Sequence, residues 1–70
     1  MGMRIGVEPL TARERDILRL TAERLSVPEI ARRIGRTPGS VRTELLRVFE
    51  KLGVTDRVSA VEAAERDGII

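Results

Sequence analysis

The chain has no cysteine, histidine, tryptophan or tyrosine, and only one phenylalanine among its 70 residues. Without thiolate or imidazole ligands, zinc fingers, iron-sulfur clusters and disulfide frameworks are excluded, together with thiol nucleophiles and His-based triads. No apolar run approaches the roughly 18 residues of a membrane span, and the N-terminus Met1-Gly2-Met3-Arg4 lacks the apolar core of a signal peptide. We therefore expect one small, soluble, cytoplasmic domain without metal or cofactor and without membrane contact.

The acidic and hydroxyl side chains also lack a catalytic pattern. The 11 acidic residues are spread without a pair that helical spacing would bring together in a pocket. No glycine-rich loop leads into a Lys-Ser or Lys-Thr pair, and no serine or threonine has a histidine base. The sequence thus predicts a protein that is not an enzyme, with no catalytic residue and no small-molecule substrate.

Positive charge is concentrated in the middle of the chain. The formal net charge is +2, and residues 29–51 alone hold six cationic and three acidic side chains. A localised basic segment between near-neutral and acidic ends favours a site for a polyanion. Charge alone would fit a solvated arginine-rich surface equally well.

Four helix-start signals divide the chain, and no segment alternates polar and apolar residues as a strand does. The capping residues are Thr11, Ser26, Thr37 and either Thr55 or Asp56. The first two are followed three residues later by glutamate, which is the spacing of a capping box. We predict an all-α, four-helix bundle with helices near residues 12–24, 27–34, 38–52 and 57–67. Residues 1–9 are expected to form a flexible lead-in to a domain over residues 10–70.

Each predicted helix carries an apolar stripe that can face a common core. In the third helix the stripe is long and narrow, and it consists of Val41, Leu45, Val48 and Leu52. In the fourth helix the residues expected to point inward are Val58, Val61 and Ala64.

The second and third predicted helices form a helix-turn-helix pattern with Gly35 in the turn. Cationic side chains, hydroxyls and helix N-terminal amides gather around this turn, where they could reach phosphate oxygens. The residues assigned to DNA phosphate contacts are Arg32, Arg33, Arg36, Thr37, Ser40 and Lys51. Those assigned to DNA base readout, on or near the exposed face of the third helix, are Arg42, Thr43, Leu46 and Arg47.

These residues resemble the LuxR-type, or GerE-type, helix-turn-helix domain of bacterial transcription factors. The resemblance covers residues 10–70 and rests on Leu10 to Arg15, Ile17-Leu18, Glu29 to Gly35, Val41 to Thr43, Lys51 to Val54, Asp56 to Val58, Ala60-Val61 and Gly68 to Ile70. It implies a four-helix domain that regulates transcription, often as a response-regulator effector domain. The third helix would enter the major groove of double-stranded DNA, and the fourth would form a dimer contact without any cofactor.

The exposed side of the fourth helix is small and mixed in polarity, so the dimer contact that the resemblance implies is expected to be weak and to form on DNA. The residues assigned to this dimer contact are Arg57, Ser59, Glu62, Ala63 and Arg66. RNA polymerase is a further candidate partner.

The chain departs from the family pattern at several positions. Arg24 and Val27 replace a glycine and an asparagine that the family often has between the first two helices. Glu44 stands where the family usually has histidine, and Leu46 stands where a polar or basic residue is frequent.

Two other functions remain open at this point. One is a helical protein-interaction module in which Leu46 and Phe49 bind a partner while Glu44 and Glu50 have weakened DNA contact. The other is a domain like sigma-factor region 4, against which the Lys-Leu-Gly-Val ending of the third helix and the long fourth helix argue.

Overall fold

The computed structural model describes residues 9–70, so the predicted lead-in lies almost entirely outside the described residues. The four helices are α1 (Ala12–Ala22), α2 (Val27–Ile34), α3 (Pro38–Leu52) and α4 (Arg57–Arg66). No strand is found within residues 9–70. The all-α fold and the bounds of α2 and α3 are as predicted, whereas α1 and α4 end at residues 22 and 66 rather than 24 and 67.

Short-range hydrogen bonds fix the helix starts as the spacing predicts. The Thr11 hydroxyl accepts from the amide of Glu14 at 3.1 Å, and the Glu14 carboxylate accepts from the amide of Thr11 at 2.9 Å. Ser26 and Glu29 form the same reciprocal pair. Of the two candidate caps for α4, Asp56 is the one used, because its carboxylate accepts from the Ser59 amide at 2.8 Å. Capping of this kind satisfies amides that have no partner within the helix.

The early end of α1 has a local cause. Arg24 has a φ of +69°, the left-handed conformation that favours glycine, and it is the one non-glycine residue with positive φ among residues 9–70. The chain leaves the helix there, and the amide of Leu25 donates to the carbonyl of Leu20 at 3.3 Å. A residue with φ of this sign cannot continue a right-handed helix.

Two buried clusters hold the four helices together, with α3 in contact with each of the other three. The first, between α1, α2 and α3, consists of Ile17, Ile30, Ala31, Val41 and Leu45. The second, between α1, α3 and α4, consists of Leu18, Val48, Ala60 and Ala64. Phe49 packs against both clusters, and α1 and α3 each contribute buried residues to both of them.

The predicted inward face of α4 is wrong in part. Ala64 is buried, but Val58 is 69% exposed and Val61 is half-buried. The helix instead buries three alanines, Ala60, Ala63 and Ala64. Alanines at i, i+3 and i+4 lie on one face of a helix, as valines at the same spacing would. Their small side chains allow α4 to pack closely against α1 and α3.

Candidate nucleic-acid interface

The α2–α3 turn sets the position of the interface. Gly35 ends α2 with a φ of +72°, and the amide of Arg36 donates to the Ala31 carbonyl at 2.9 Å. Thr37 then caps α3 by accepting from the Ser40 amide at 3.1 Å. Buried side chains of the first cluster pack α2 against α3. The start of α3 is therefore held at a fixed place beside the end of α2.

The outward face of α3 carries every residue that the sequence assigned to base readout. Arg42, Thr43, Leu46 and Arg47 are all exposed, and Leu46 is 59% exposed. The opposite side of α3 is buried through Val41, Leu45 and Val48. The Thr43 hydroxyl donates back to the Gly39 carbonyl at 3.1 Å, so it turns toward the start of the helix. One surface therefore presents two guanidinium groups, a hydroxyl and an apolar side chain.

Most of the assigned phosphate contacts lie next to this face. Arg32, Arg33, Arg36 and Thr37 are exposed, and Ser40 is partly buried. The Thr37 hydroxyl accepts a hydrogen bond as the cap, and its proton remains available for donation to an anion. We define the basic edge as the residues from the end of α2 to the start of α3 that the sequence assigned to phosphate contact: Arg32, Arg33, Arg36, Thr37 and Ser40. Arg32 and Arg33 also line an open groove with Leu25 and Glu29.

One carboxylate lies within this basic edge. The Oε2 atom of Glu44 accepts from the Ser40 hydroxyl at 3.3 Å and from Nη2 of Arg36 at 3.4 Å. The Glu44 side chain is 16% exposed, whereas that of Arg36 is 47% exposed. Sequence reasoning noted Glu44 as a departure from the family pattern but did not find these two partners.

The position of Lys51 does not support its assignment to phosphate contact. Its ammonium donates to the Glu14 carboxylate at 2.8 Å and to the Pro9 carbonyl at 3.3 Å, and the Lys51 and Glu14 side chains are 13% and 5% exposed. Burial alone would raise the pKa of the Glu14 carboxyl, but hydrogen bonds from Lys51 and the Thr11 amide, with the lysine charge, lower it below its ordinary value. Lys51 therefore joins the end of α3 to the start of α1.

Comparison with known proteins decides the family. Residues 8–64 match the sequence pattern of bacterial regulatory proteins of the luxR family. The chain belongs to the luxR family. It is thus a helix-turn-helix domain for DNA-binding transcription regulation, and the sigma-factor alternative is set aside.

The relatives of this luxR-family chain are transcriptional regulators. An HTH-type transcriptional regulator of Mycobacterium tuberculosis is 46% identical over 59 residues, which cover 84% of this chain and 7% of that protein. The transcriptional regulatory protein NarL of Mycobacterium tuberculosis is 43% identical over 61 residues, covering 87% of this chain and 28% of NarL. DesR of Bacillus subtilis is 35% identical over 60 residues, covering 86% of this chain and 30% of DesR.

A solved structure shows the same fold. The response regulator ChrA of a heme-sensing two-component system superposes with a TM-score of 0.87 at 33% identity, covering 90% of this chain and 31% of that one. The chain thus spans less than a third of the length of each of these relatives. Within residues 9–70, no helix is long and apolar enough to cross a membrane.

The structure changes the predicted dimer surface of this luxR-family domain. Ala63 is 2% exposed, so it packs in the core and cannot contact a partner. Arg57 is half-buried and donates to the Leu25 carbonyl, and the Ser59 hydroxyl donates to Asp56 at 3.2 Å. Glu62 and Arg66 remain exposed.

The exposed apolar residue on this side is Val58, which the sequence placed in the core. It lies in an open groove between α4 and the end of α1, lined by Thr21, Ala22, Arg24, Arg57, Val58, Val61, Glu62 and Glu65.

The surface proposed for a protein-interaction module is reduced to one residue. Phe49 is half-buried between the two clusters, where it contributes to the fold. Of the two residues, only Leu46 is exposed, and the exposed Arg42 and Arg47 lie on the same face of α3. A single exposed leucine is ordinary for a folded surface.

Proposed function

We propose that this domain binds double-stranded DNA sequence-specifically by placing α3 in the major groove. The observation that carries the proposal is the outward face of α3, which holds all four predicted readout residues opposite the buried Val41, Leu45 and Val48. A major groove about 12 Å wide admits one α-helix, and side chains near the start of such a helix meet the base edges.

Within this interface the side chains have different roles. Arg42, in the first two turns of α3, can form two hydrogen bonds with the O6 and N7 atoms of a guanine. Leu46 can contact a thymine methyl group, while Thr43 and Arg47 complete the set that reaches bases. The basic edge supplies phosphate contacts, which fix the register of α3 but carry no sequence information.

We also propose that this domain is part of a longer transcription regulator. Because the matched residues cover no more than 30% of these relatives, we propose residues 10–70 as the DNA-binding domain of a regulator and residues 1–9 as the lead-in to it. The domain would act in the bacterial cytoplasm without catalysis, since the acid spacing and hydroxyl partners offer no catalytic group. RNA polymerase is the further partner that such a regulator would meet at a promoter.

Pairing of two copies through α4 is the third part of the proposal. The exposed Val58, Glu62 and Arg66 form a small surface of mixed polarity. Such a surface supports a weak contact, which two adjacent half-sites on DNA would strengthen by raising the effective concentration. We expect a monomer in free solution and cooperative filling of paired half-sites. Sedimentation equilibrium without DNA and a titration of a two-site duplex test the two statements separately.

Binding-site selection from random duplexes tests the function, followed by titration of the selected site with Arg42→Ala. We expect a loss of about 1–3 kcal/mol on the selected site and a relaxed preference at one base pair. Arg19→Ala is the matched control, because Arg19 is an exposed arginine on α1 that pairs with Asp16 at 3.1 Å. If selection yields no preferred sequence, or if both variants lose affinity equally, the assignment of α3 to base readout is wrong.

A further inference from the structure

We propose that Glu44 restrains DNA binding by holding Arg36 and Ser40 as an internal substitute for a phosphate group. The inference rests on the proposed function, since it concerns the basic edge that would contact DNA. In the unbound domain, one carboxylate oxygen takes hydrogen bonds from both donors, at 3.4 Å and 3.3 Å. A DNA phosphate that approaches this edge must displace that carboxylate before it gains the same two donors.

The chemistry of the two partners supports this role. A guanidinium group and a hydroxyl are among the donors that most often bind DNA phosphate oxygens. Ser40 lies one helical turn before Glu44 and next to the start of α3, where helix amides also favour an anion. A carboxylate at this place takes the same hydrogen bonds that a DNA phosphate would take. It therefore lowers the affinity for DNA.

A purely structural role explains the arrangement less well. Arg36 is 47% exposed, so water already solvates its charge, and only the Glu44 carboxylate, at 16% exposed, depends on the pair. An ion pair with one exposed partner contributes less to folding than a pair with both partners buried. The Lys51–Glu14 pair shows what a structural pair looks like in this chain, with side chains 13% and 5% exposed.

Phosphate contacts carry no sequence information, so a change in them should alter the affinity for every duplex by the same factor. Glu44→Gln removes the negative charge and keeps the shape of the side chain. We expect this variant to bind a selected site and an unrelated duplex more tightly by the same factor, about two- to fivefold, the range expected for release of an exposed ion pair. The magnitude of the log-log salt slope should rise by about one unit, because Arg36 gains a phosphate contact.

Two further variants separate this role from simple repulsion between an acid and DNA. Glu50→Gln makes the same charge change on an exposed residue of α3, further along the helix from Arg36 and Ser40. It should tighten binding less and leave the salt slope nearly unchanged. Adding Glu44→Gln to an Arg36→Gln background should give little or none of the gain seen in the parent chain, since the released guanidinium is then absent.

The experiment is a fluorescence-anisotropy titration against both duplexes, from about 50 to 200 mM salt. The forms compared are the parent chain, Glu44→Gln, Glu50→Gln, Arg36→Gln and the double variant. Thermal melting checks that Glu44→Gln is folded, and Glu44→Ala serves as a second variant. Equal tightening on both duplexes that depends on Arg36 supports the inference. A gain that persists without Arg36, or a loss confined to the selected site, overturns it. Unchanged affinity in Glu44→Gln while the parent chain binds DNA overturns this inference alone, whereas absence of binding by every form overturns the proposed function as well.

Discussion

The two ends of α3 use glutamate–cation pairs in opposite ways. At its C-terminal end, Lys51 and Glu14 are nearly buried and tie α3 to α1. Near its N-terminal end, Glu44 pairs with Arg36 of the basic edge, whose side chain is 47% exposed. Breaking the buried pair takes the cation away from a carboxylate with little access to water, whereas breaking the Arg36–Glu44 pair releases a cation to water or to a phosphate. The same residue types therefore stabilise the fold at one end and adjust binding at the other.

The largest loss of stability is expected at Lys51. Lys51→Met removes the ammonium and keeps most of the apolar stem, so the buried Glu14 carboxylate loses its cationic partner and keeps the hydrogen bond from the Thr11 amide. We expect the free energy of unfolding to fall by about 2–3 kcal/mol, somewhat less than for a fully buried pair. Urea denaturation measures it.

Two control variants accompany the Lys51 experiment. Lys51→Arg keeps a cation and should recover much of the loss, and Arg36→Gln at the Arg36–Glu44 pair should change stability by no more than about 0.5 kcal/mol. If Lys51→Met is as mild as Arg36→Gln, then Lys51 is not a structural residue and returns to the candidates for phosphate contact.

The stabilisation by Glu14 should depend on pH. Its pKa in the folded domain lies below the ordinary value of 4.5. The stabilisation is therefore present above that ordinary value and is lost as the pH falls through the lowered pKa. The stability difference between the parent chain and Glu14→Gln should shrink between pH 7 and about pH 3.

Glu29 is the control for this pH dependence. Hydrogen bonds from the Ser26 amide and hydroxyl also lower the pKa of its carboxyl, and it lies at the surface rather than next to a buried lysine. Glu29→Gln should thus show a pH dependence of the same sign, without any contribution from Lys51. A stability difference at Glu14 that stays constant with pH would contradict the account of this carboxylate.

A smaller effect is expected at Arg24, far from the outward face of α3. Arg24→Gly should raise the free energy of unfolding by about 0.5–1 kcal/mol, because relief of the left-handed backbone exceeds the added entropy of the unfolded chain. Arg24→Ala keeps the unfavourable conformation and should show no such gain. Equal stability of the two variants would mean that the φ of +69° carries no strain.

Sequence reasoning succeeds in this chain where the determining contacts are short-range. The caps at Thr11, Ser26 and Thr37 bond to residues three positions away, so their spacing predicts them. The outward face of α3 follows from helical periodicity around a long apolar stripe. The pairing of Lys51 with Glu14 joins residues 37 positions apart, and no local pattern reveals it.

The errors in α4 have a different cause. Val58 and Val61 are more hydrophobic than alanine, so a ranking by hydrophobicity points them inward. The space that α1 and α3 leave for α4 instead selects the alanines, which places Ala63 in the core and Val58 in an open groove. How closely two helices pack depends on side chains from both of them, and one helix read alone does not contain that information.

The most direct test of the central claim is a backbone amide chemical-shift titration of the isotope-labelled chain with a duplex that carries the selected site. We predict that the largest changes fall on the α2–α3 turn and the outward face of α3, including Arg36, Ser40, Arg42 and Leu46. Amides near Glu14 and in the α4 groove should change little on a duplex with one half-site. If the largest changes centre on the α4 groove, or if no amide shifts at saturating DNA, α3 is not the DNA-binding element.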